Sequence, residues 1–401
     1  MLTDRRLIFL SAGLRAIAVG LSGVMVSLYL AGLKFNPWRI GLAVSLGLAG
    51  CAAGTLVVIY LADRVGRRRS LMMFAGLMGV GGLLLASASS AFVVMLAVFV
   101  GMVNGMGRDR GASMTVEQAI LPQTTTPAER TKTFAWYNVI VDAGHAVGSL
   151  LGSVPALLRQ QAHLSLPESY QWTWGFYSVI CFLAGALVAR LSQGVEAPAR
   201  VAPQPLSPAS RRVVMKFAGL SALDSLGGGF LTTALVSYWF LRRFGVDEAF
   251  LGPLFFFVRI LNGLSHLGAA WLARRIGLVN TMVWTHLPSS VLLMTVPMVP
   301  NLTIAVLLLL MREALVEMDV PTRQSYLVAV VRDEERTRAS GITNLTRGVA
   351  WAVAPAIAGS LMRTLALSAP LLVGPVLKIA YDLLLYQAFR DLKPPEEHSG
   401  A

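Results

Sequence analysis

The stretch "LADRVGRRRS", residues 61–70, lies between two apolar runs, residues 38–62 and 70–90. Each run is long enough to cross a hydrocarbon core of about 30 Å as a helix. The stretch itself carries one aspartate, Asp63, and four arginines, at positions 64, 67, 68 and 69. The pattern therefore predicts two membrane helices joined by a short, strongly basic loop.

Apolar runs of this length recur along the whole chain. The 401 residues are 55% hydrophobic and 14% charged, whereas a soluble domain carries roughly 25% charged residues. The first run is too long for the apolar region of a signal peptide and leads directly into another span, so we predict that it is retained. The twelve predicted spans are residues 7–32, 38–62, 70–90, 91–121, 132–158, 172–193, 213–240, 249–273, 276–298, 301–331, 339–362 and 369–389.

The positions of the basic residues explain the formal net charge of +13. Nucleic-acid binding proteins cluster such charge on one surface, whereas membrane proteins carry it in their cytoplasmic loops. If the N-terminus is cytoplasmic, nineteen lysines and arginines fall on the cytoplasmic side and six on the other. We therefore expect a multi-pass protein of the cytoplasmic (inner) membrane, surrounded by lipid, with both termini inside and no nucleic-acid partner.

The second half of the chain repeats the first. "QAILPQTTTPAERTKTFAWYNV", residues 118–139, aligns with "QSYLVAVVRDEERTRASGITNL", residues 324–345, and "LIFLSAGL", residues 7–14, aligns with "VVMKFAGL", residues 213–220, both at an offset of 206 residues. Six helices followed by six more in the same orientation are typical of duplicated transporters. We predict an all-α membrane protein of two pseudo-symmetric six-helix bundles. The predicted boundaries are a first bundle 1–193, a cytoplasmic linker 194–212, a second bundle 213–392 and a cytoplasmic tail 393–401.

The basic loop carries a specific resemblance. It resembles the cytoplasmic loop motif G-x-L-A-D-R-x-G-R-K of the major facilitator superfamily, with Ile59 in place of the first glycine. The resemblance covers the whole chain and implies that family's fold, in which helices 1, 4, 7 and 10 surround a central cavity. It also implies a gating role for the motif. The second half carries a counterpart, "LARRIG" at residues 272–277, in which Arg274 replaces the aspartate. The residues given the gating role are Asp63, Arg64, Gly66, Arg67 and Arg68.

Spans 4 and 10 carry charges where the middle of the bilayer is expected. A charge there costs about 2.5–3.5 kcal/mol, so these side chains need water or partners. On continuous helices, two repeat-related stripes form, and we interpret them as cavity walls. The stripes are Met106, Arg110, Ser113, Glu117 and Arg312, Val316, Asp319, Arg323. The substrate-contact candidates are Arg15, Arg108, Asp109, Arg110, Glu117, Asp224, Arg312, Asp319 and Arg323.

Opposite charges at similar depths predict ion pairs. We expect Arg15 to pair with Glu117 and Asp224 with Arg323, either within each half or exchanged between the halves. The glycines between 101 and 111, and Pro321 in span 10, predict that both helices are locally unwound.

Other polar residues within spans are given structural roles. Lys378 and Asp382 are four residues apart, which favours a pair on one helix. The histidines at positions 145, 266 and 286 are predicted to be packing or hydrogen-bonding residues. Three glycines in span 5 resemble the family's antiporter motif, and close helix packing explains them equally well. These are Gly144, Gly148 and Gly152.

The expected function is secondary active transport of a small solute by a monomer. The sequence has no ATP-binding G-x-x-x-x-G-K-[ST] stretch, so energy is expected from an ion gradient. Protons are favoured because buried carboxylates lie beside arginines, and the candidates are Glu117, Asp142 and Asp224. Export by proton antiport is the first choice, with uptake by proton symport or lipid flipping as alternatives. An enzyme, a cofactor and a metal are not expected, because the sequence shows no nucleophile, cofactor or metal-ligand constellation.

Overall fold

The structure is a computed structural model and describes residues 3–88, 90–109, 111–126, 129–196, 206–329, 331–332 and 335–390. Within these ranges the side chains of residues 59–64, 131, 209, 267, 270, 321, 324, 325, 328, 329, 336 and 337 are also outside the described set. Arg110 and the side chains of Asp63 and Arg64 therefore lie outside the described residues, and their predicted roles stay predictions.

The described residues form helices and turns, with no β-strand among them, which confirms the all-α prediction. Short 3-10 turns follow three of the helices. In chain order the helices are α1 (Asp4–Gly32), α2 (Pro37–Val65), α3 (Arg67–Ala86), α4 (Ala91–Val100), α5 (Ala112–Ile120), α6 (Arg130–Leu151), α7 (Val154–Gln161), α8 (Leu166–Val188), α9 (Pro208–Gly229), α10 (Thr233–Phe244), α11 (Glu248–Ile276), α12 (Leu278–Thr295), α13 (Leu302–Val316), α14 (Asp319–Ala329), α15 (Arg336–Thr364) and α16 (Ala369–Phe389).

In the part of the chain that the structure describes, eight helical segments are long and apolar enough to cross a membrane. They overlap predicted spans 1, 2, 3, 5, 6, 8, 11 and 12. Spans 4, 7 and 10 are each divided between two shorter helices, and span 9 corresponds to α12. The protein is thus a multi-pass membrane protein, while the count of twelve spans and the orientation of the termini remain predictions.

Span 4 is broken instead of continuous. α4 ends at Val100 and α5 begins at Ala112, and residues 101–109 form turns without helix. Met102 and Gly107 have φ angles of 49° and 65°, which a right-handed helix cannot contain. The predicted unwinding is confirmed, and the predicted helical stripe is wrong at Met106, because this residue lies in the break.

Side chains satisfy the backbone groups that the break releases. Asn104 accepts the N–H of Met106 at 2.8 Å. The Asp109 carboxylate accepts the N–H of Gly111 at 2.9 Å, and the Asp109 N–H donates to Nε2 of His145 at 2.9 Å. Each unpaired backbone group costs several kcal/mol in a bilayer, so a helix break is tolerated there only when such partners exist. The break therefore holds the Asp109 side chain in one place.

Spans 7 and 10 are interrupted in the same way. α9 ends at Gly229 and α10 begins at Thr233, where the Thr232 hydroxyl caps the new helix by accepting the N–H of Leu235 at 3.3 Å. α13 ends at Val316 and α14 begins at Asp319, with two residues between them. The unwinding predicted for span 10 is therefore confirmed as well. Discontinuous membrane helices place polar groups at bilayer depth, where transporters hold their ligands.

The chain divides into two compact units by its internal contacts. Unit 1 contains Met1–Arg200 and Thr232–Arg259, and unit 2 contains Val201–Leu231 and Ile260–Ala401. The segment Thr232–Arg259 follows the linker in sequence yet packs within unit 1. Its Thr233 hydroxyl donates to the carbonyl of Met106 at 2.8 Å, in the break of span 4. The bundle boundaries predicted from the repeat remain a prediction.

Repeat-related helices make equivalent contacts. α1 packs against α6 in unit 1, and α9 packs against α15 in unit 2. At the start of α6, Glu129 lies 3.8 Å from Arg5. At the start of α15, Glu335 accepts the N–H of Ser207 at 2.5 Å. Hydrogen bonds from the Ser210 side chain and from Ser207 lower the pKa of Glu335 to about 2, so this contact stays ionised across the neutral pH range.

The glycines of span 5 allow α6 to approach α1 closely. A Cβ atom at Gly148 would lie 2.1 Å from the carbonyl oxygen of Ile17, and one at Gly144 would lie 2.7 Å from the Ala16 Cβ. Backbone atoms cannot retreat from such a contact as a flexible side chain can. Helix packing is therefore a sufficient explanation of this run, as it is for small-residue stripes in other membrane helices.

Gly148→Ala is expected to lower the free energy of unfolding by about 1–3 kcal/mol, because the added methyl group forces the two helices apart. Thermal unfolding in detergent measures the loss. Gly175→Ala on α8 is the matched control, since a Cβ there meets no atom within 4 Å. Equal stability of the two variants would contradict the packing role.

Candidate functional site: two buried charge clusters

The first-half cluster consists of Arg15, Asp109, Glu117 and Tyr137, all within unit 1. Arg15 on α1 donates from Nε to Asp109, and from both terminal nitrogens to Glu117 on α5, with Nη2–Oε2 at 2.7 Å. The hydroxyl of Tyr137 on α6 donates to the same Glu117 oxygen at 2.7 Å. All four side chains are buried, so three helices and the broken segment of span 4 converge on one guanidinium.

The first-half cluster carries more negative than positive charge. One guanidinium faces two carboxylates, Asp109 and Glu117, in surroundings from which water is largely excluded. A fork of five N–H donors suits two carboxylates geometrically. Its single positive charge balances only one of them. The excess negative charge makes this cluster a natural place for a proton or another cation to bind.

The second-half cluster consists of Asp224, Asp319, Arg323, Arg347 and Lys378, all within unit 2. Asp224 on α9 accepts from Lys378 Nζ at 2.7 Å. It also accepts from Nη1 of Arg323 and from Nη1 of Arg347, each at 3.3 Å. Arg323 makes a further ion pair with Asp319, one turn earlier on α14. Each of the five side chains is at least nine-tenths buried.

A histidine extends this cluster. The Nδ1 atom of His286 on α12 lies 2.9 and 3.0 Å from the two carboxylate oxygens of Asp382. Its Nε2 atom lies 3.2 Å from Lys378 Nζ. We call His286 and Asp382 the dyad. Both side chains are buried, and the sequence predicts structural roles for both residues.

Both predicted ion pairs are present, and each forms within its own half: Arg15 with Glu117, and Asp224 with Arg323. The predicted pair between Lys378 and Asp382 is wrong, because each finds a partner on another helix. Their spacing could not show this, since four residues on a helix bring two side chains near without excluding other neighbours.

The remaining candidates lie elsewhere. Arg312 pairs with its neighbour Glu313, which also accepts from Nδ2 of Asn262 at 2.8 Å. Asp142 on α6 has a side chain that is 54% exposed and lies 3.9 Å from Nδ1 of His145. Arg108 is partly exposed in the break of span 4. Arg312 and Asp142 thus have partners outside the four and five residues that define the two clusters.

The described part of the loop motif is held at the start of α3. Gly66 has a φ of 98°, a conformation that favours glycine. Glu196 accepts the backbone N–H groups of Arg67 and Arg68 at 2.5 and 3.3 Å. A carboxylate at a helix N-terminus also meets the positive end of the helix dipole. The structure thus supplies a cap, Glu196, that the sequence did not predict, while the gating role of the motif remains a proposal.

Unit 1 has a second ionic contact that the sequence missed. Arg159 on α7 donates to Glu248, at the start of α11, with Nη2–Oε2 at 2.6 Å. The hydroxyl of Tyr170 on α8 also donates to Glu248, whose side chain is 2% exposed. Since Glu248 belongs to the segment after the linker, this contact ties the two sequence repeats together within unit 1.

Three side chains of unit 2 have the composition of a metal site. Ligand atoms of Asp224, His286 and Asp319 lie within 4.8 Å of one another. Both carboxylates already pair with cationic side chains, and His286 Nε2 faces Lys378. A metal ion would have to displace these cations or stand beside them, which the Coulomb repulsion between like charges opposes.

Comparison with known proteins gives one family and one curated relative. Residues 8–355 match the family described as the Major Facilitator Superfamily. An uncharacterized membrane protein of Saccharomyces cerevisiae is 24% identical to this chain, over 95% of this chain and 93% of its own length.

Solved structures share the fold. A bacterial homologue of the human lysosomal transporter Spinster, in an inward-facing and unoccupied conformation, has a TM-score of 0.68 at 14% identity, covering 96% of this chain and 94% of that one. A nucleoside transporter has a TM-score of 0.72 at 13% identity, covering 97% and 99%. A human organic anion transporter has a TM-score of 0.60 at 17% identity, covering 96% and 100%. At these identities the likeness concerns the fold alone.

Proposed function

Because this chain belongs to the Major Facilitator Superfamily, a family of membrane solute transporters, we propose that it is a secondary active transporter driven by protons. It moves a small solute by alternating access, in which the two repeats change their relative orientation. It acts as a monomer in the cytoplasmic membrane, with twelve spans and both termini inside. The gating motif around Gly66, Arg67 and Arg68 controls one side of this movement.

The observation that carries the proposal is the pair of buried charge clusters. Each cluster joins helices of one unit through ionisable side chains at membrane depth. Such residues are costly in a bilayer and mark ion or substrate pathways by default. Their presence at broken helices adds backbone groups that can meet a ligand.

Proton coupling is supported by the first-half cluster. Arg15 is shared by Asp109 and Glu117, so binding of one proton brings the three groups to charge balance. Protonation of Glu117 would also weaken its hold on Arg15 and Tyr137. A proton that enters and leaves here therefore changes the contacts between α1, α5 and α6, which gives a physical link between proton binding and helix movement.

The direction of transport depends on whether proton and solute bind to the protein together or exclude each other. Export by antiport, the first choice from the sequence, requires that proton and solute exclude each other. Uptake by symport requires that they bind together. The second-half cluster supports the symport alternative, because three cations surround Asp224 and the titratable ring of His286 lies 3.2 Å from one of them, Lys378. Lipid flipping is tested separately by scrambling of labelled lipids in vesicles that contain the protein.

A Glu117→Gln variant is expected to reduce proton-driven flux at least tenfold while the protein still folds, because the amide oxygen of glutamine can still accept from Arg15 or Tyr137 but the amide cannot carry the proton. A ligand screen by thermal stabilisation first identifies a solute, since binding to the native state raises its apparent stability. Flux of that solute is then measured in proteoliposomes under an imposed pH gradient.

The control for this experiment is Glu129→Gln, which removes an exposed carboxylate 3.8 Å from Arg5. Its flux should match that of the wild type. Proton-driven flux of equal size in Glu117→Gln would remove Glu117 from the coupling site, and an absence of flux in the wild type with every stabilising compound would count against transport.

A further inference from the structure

The second-half cluster contains more positive than negative groups around one carboxylate. Lys378, Arg323 and Arg347 approach Asp224 from three helices, α16, α14 and α15. Asp319 supplies a second carboxylate, through Arg323. Three cations face two anions, so these five side chains carry one excess positive charge.

Asp224 holds the place that the anionic group of a ligand would take. Its two oxygens are bound by donors from separate helices, the arrangement by which proteins recognise carboxylates and phosphates. Ser221, one turn earlier on the same helix, is fully buried, and its hydroxyl has no partner among the described residues. A further buried donor thus lies one turn from Asp224 without a partner among the described residues.

The dyad sets the charge of this cluster through one proton. An ammonium group has no acceptor, so Lys378 must donate to Nε2 of His286 at 3.2 Å. The ring is then neutral, with its proton on Nδ1 facing Asp382. With this tautomer the negative charge of Asp382 balances the excess of the five side chains.

A second proton on His286 would reverse this balance. The Nε2–H group would point at the Lys378 ammonium, and the hydrogen bond between them would be lost. The excess charge would then be positive by one unit, which an anion can neutralise. Proton binding at the dyad and anion binding at the cluster therefore assist each other.

Among the described residues, other charged or titratable groups near His286 come from three helices. α9 contributes Asp224, with its Oδ1 atom 3.9 Å from Nε2, and α14 contributes Asp319. α13 also packs against α12, and its two charged residues, Arg312 and Glu313, pair with each other. α16 contributes Lys378, Asp382 and the ring of Tyr381, whose centre lies 6.2 Å from that of His286.

We propose that the second-half cluster binds an anionic group, a carboxylate or a phosphate, together with one proton taken up by the dyad of His286 and Asp382. This inference rests on the proposed transport function and names its substrate class as a small anion. One proton bound per anion makes the loaded site electrically balanced. It also implies cotransport of the two, because the proton strengthens binding of the anion.

The first test is anion binding to the purified wild-type protein, followed by thermal unfolding. Sodium acetate and sodium phosphate are the probes, compared with sodium chloride at equal ionic strength. Both are expected to raise the unfolding temperature. With one proton taken up per anion, acetate affinity should rise about tenfold for each unit of pH decrease in the range where the dyad titrates, by linkage. Exclusion of proton and anion, as in antiport, would give the opposite sign and overturn the proposal.

Variants separate the anion site from general anion effects. Arg347→Gln should lose at least tenfold in acetate affinity, and His286→Gln should keep binding but lose its pH dependence. Asp224→Asn removes the internal competitor and should be stabilised by acetate more than the wild type is. The matched control is Arg363→Gln, which removes an exposed arginine from the same helix as Arg347 and should bind like the wild type.

Several results would overturn the proposal. One is an equal rise of the unfolding temperature with acetate in the wild type and Arg347→Gln. The others are acetate binding that does not change with pH, and stabilisation by Mn²⁺ or Zn²⁺ in place of anions. If Arg347→Gln does not fold, the pH dependence of His286→Gln decides. Stabilisation by anionic phospholipid through Arg347, without any by acetate or free phosphate, would assign the site to a lipid headgroup and reject a small soluble anion.

The anion-binding experiment and the flux experiment can fail independently of each other. Anion binding with the expected pH dependence, but without flux in proteoliposomes, would support the anion site and contradict the transport function. Proton-driven flux of a solute that does not depend on Arg347 or His286 would leave the transport function and remove this site.

Discussion

Asp224→Asn is expected to lower the free energy of unfolding by about 3–5 kcal/mol, because it leaves buried cations without their shared counter-charge. The Asp224 carboxylate is 4% exposed and accepts hydrogen bonds from Lys378, Arg323 and Arg347. Water cannot readily replace it for these groups. Thermal or denaturant unfolding of the purified protein measures the loss.

Two further variants make the reason for this loss testable. Asp247→Asn removes an aspartate that is 48% exposed and 3.8 Å from Arg159, and exposed pairs of this kind contribute little. Asp224→Asn combined with Lys378→Met removes both members of a buried pair and should recover much of the stability. A double variant as unstable as the sum of its parts would show that charge balance is not what Asp224 provides.

Arg15→Gln is expected to be similarly damaging, with a loss of about 3–5 kcal/mol near neutral pH, since it leaves Asp109 and Glu117 buried without a cation. The loss should become smaller as the pH falls, because protonation removes the unpaired negative charges. Unfolding at several pH values measures both effects.

Arg15→Lys distinguishes geometry from charge. Lysine keeps the positive charge but lacks the planar fork that contacts Asp109 and Glu117 together, so an intermediate loss is expected. Arg5→Gln on the same helix is the control, because Arg5 is 43% exposed in its side chain and only 3.8 Å from Glu129. An Arg15→Gln protein as stable as Arg5→Gln would show that the charge of Arg15 does not stabilise the first-half cluster.

The sequence predicts much of this architecture because its signals are local or periodic. Apolar runs, basic loops and the offset of 206 residues are properties of the chain itself, and the all-α membrane fold follows from them. The family is indicated by the resemblance of the loop motif, residues 61–70. The pairs of Arg15 with Glu117 and of Asp224 with Arg323 were predictable as well. Few opposite charges exist at matching depth, and a buried charge must find one.

The contacts that were missed depend on how helices are rotated against each other. Lys378 and Asp382 look like a pair on one helix, yet they reach Asp224 and His286 on two others. The repeat could not indicate this, because the positions 206 residues earlier are Trp172 and Phe176. Neither of these residues is ionisable.

The break in span 4 limits prediction in a different way. Its glycines signalled unwinding, but the path of an unwound segment is fixed by tertiary hydrogen bonds, such as that from the Asp109 N–H to His145. Asp109 consequently reaches Arg15, a contact that no helical spacing predicts. His145, which the sequence predicts to be a packing or hydrogen-bonding residue, accepts this hydrogen bond and so positions the contact.

The central claim, that this protein couples proton movement to solute movement through its buried charges, is tested most directly in proteoliposomes that contain a pH-sensitive dye. A gradient of a compound that stabilises the protein should move protons in the wild type, whereas Glu117→Gln and His286→Gln should move the solute with few or no protons. Solute flux without proton movement in the wild type, or equal proton movement in all three proteins, would contradict the claim.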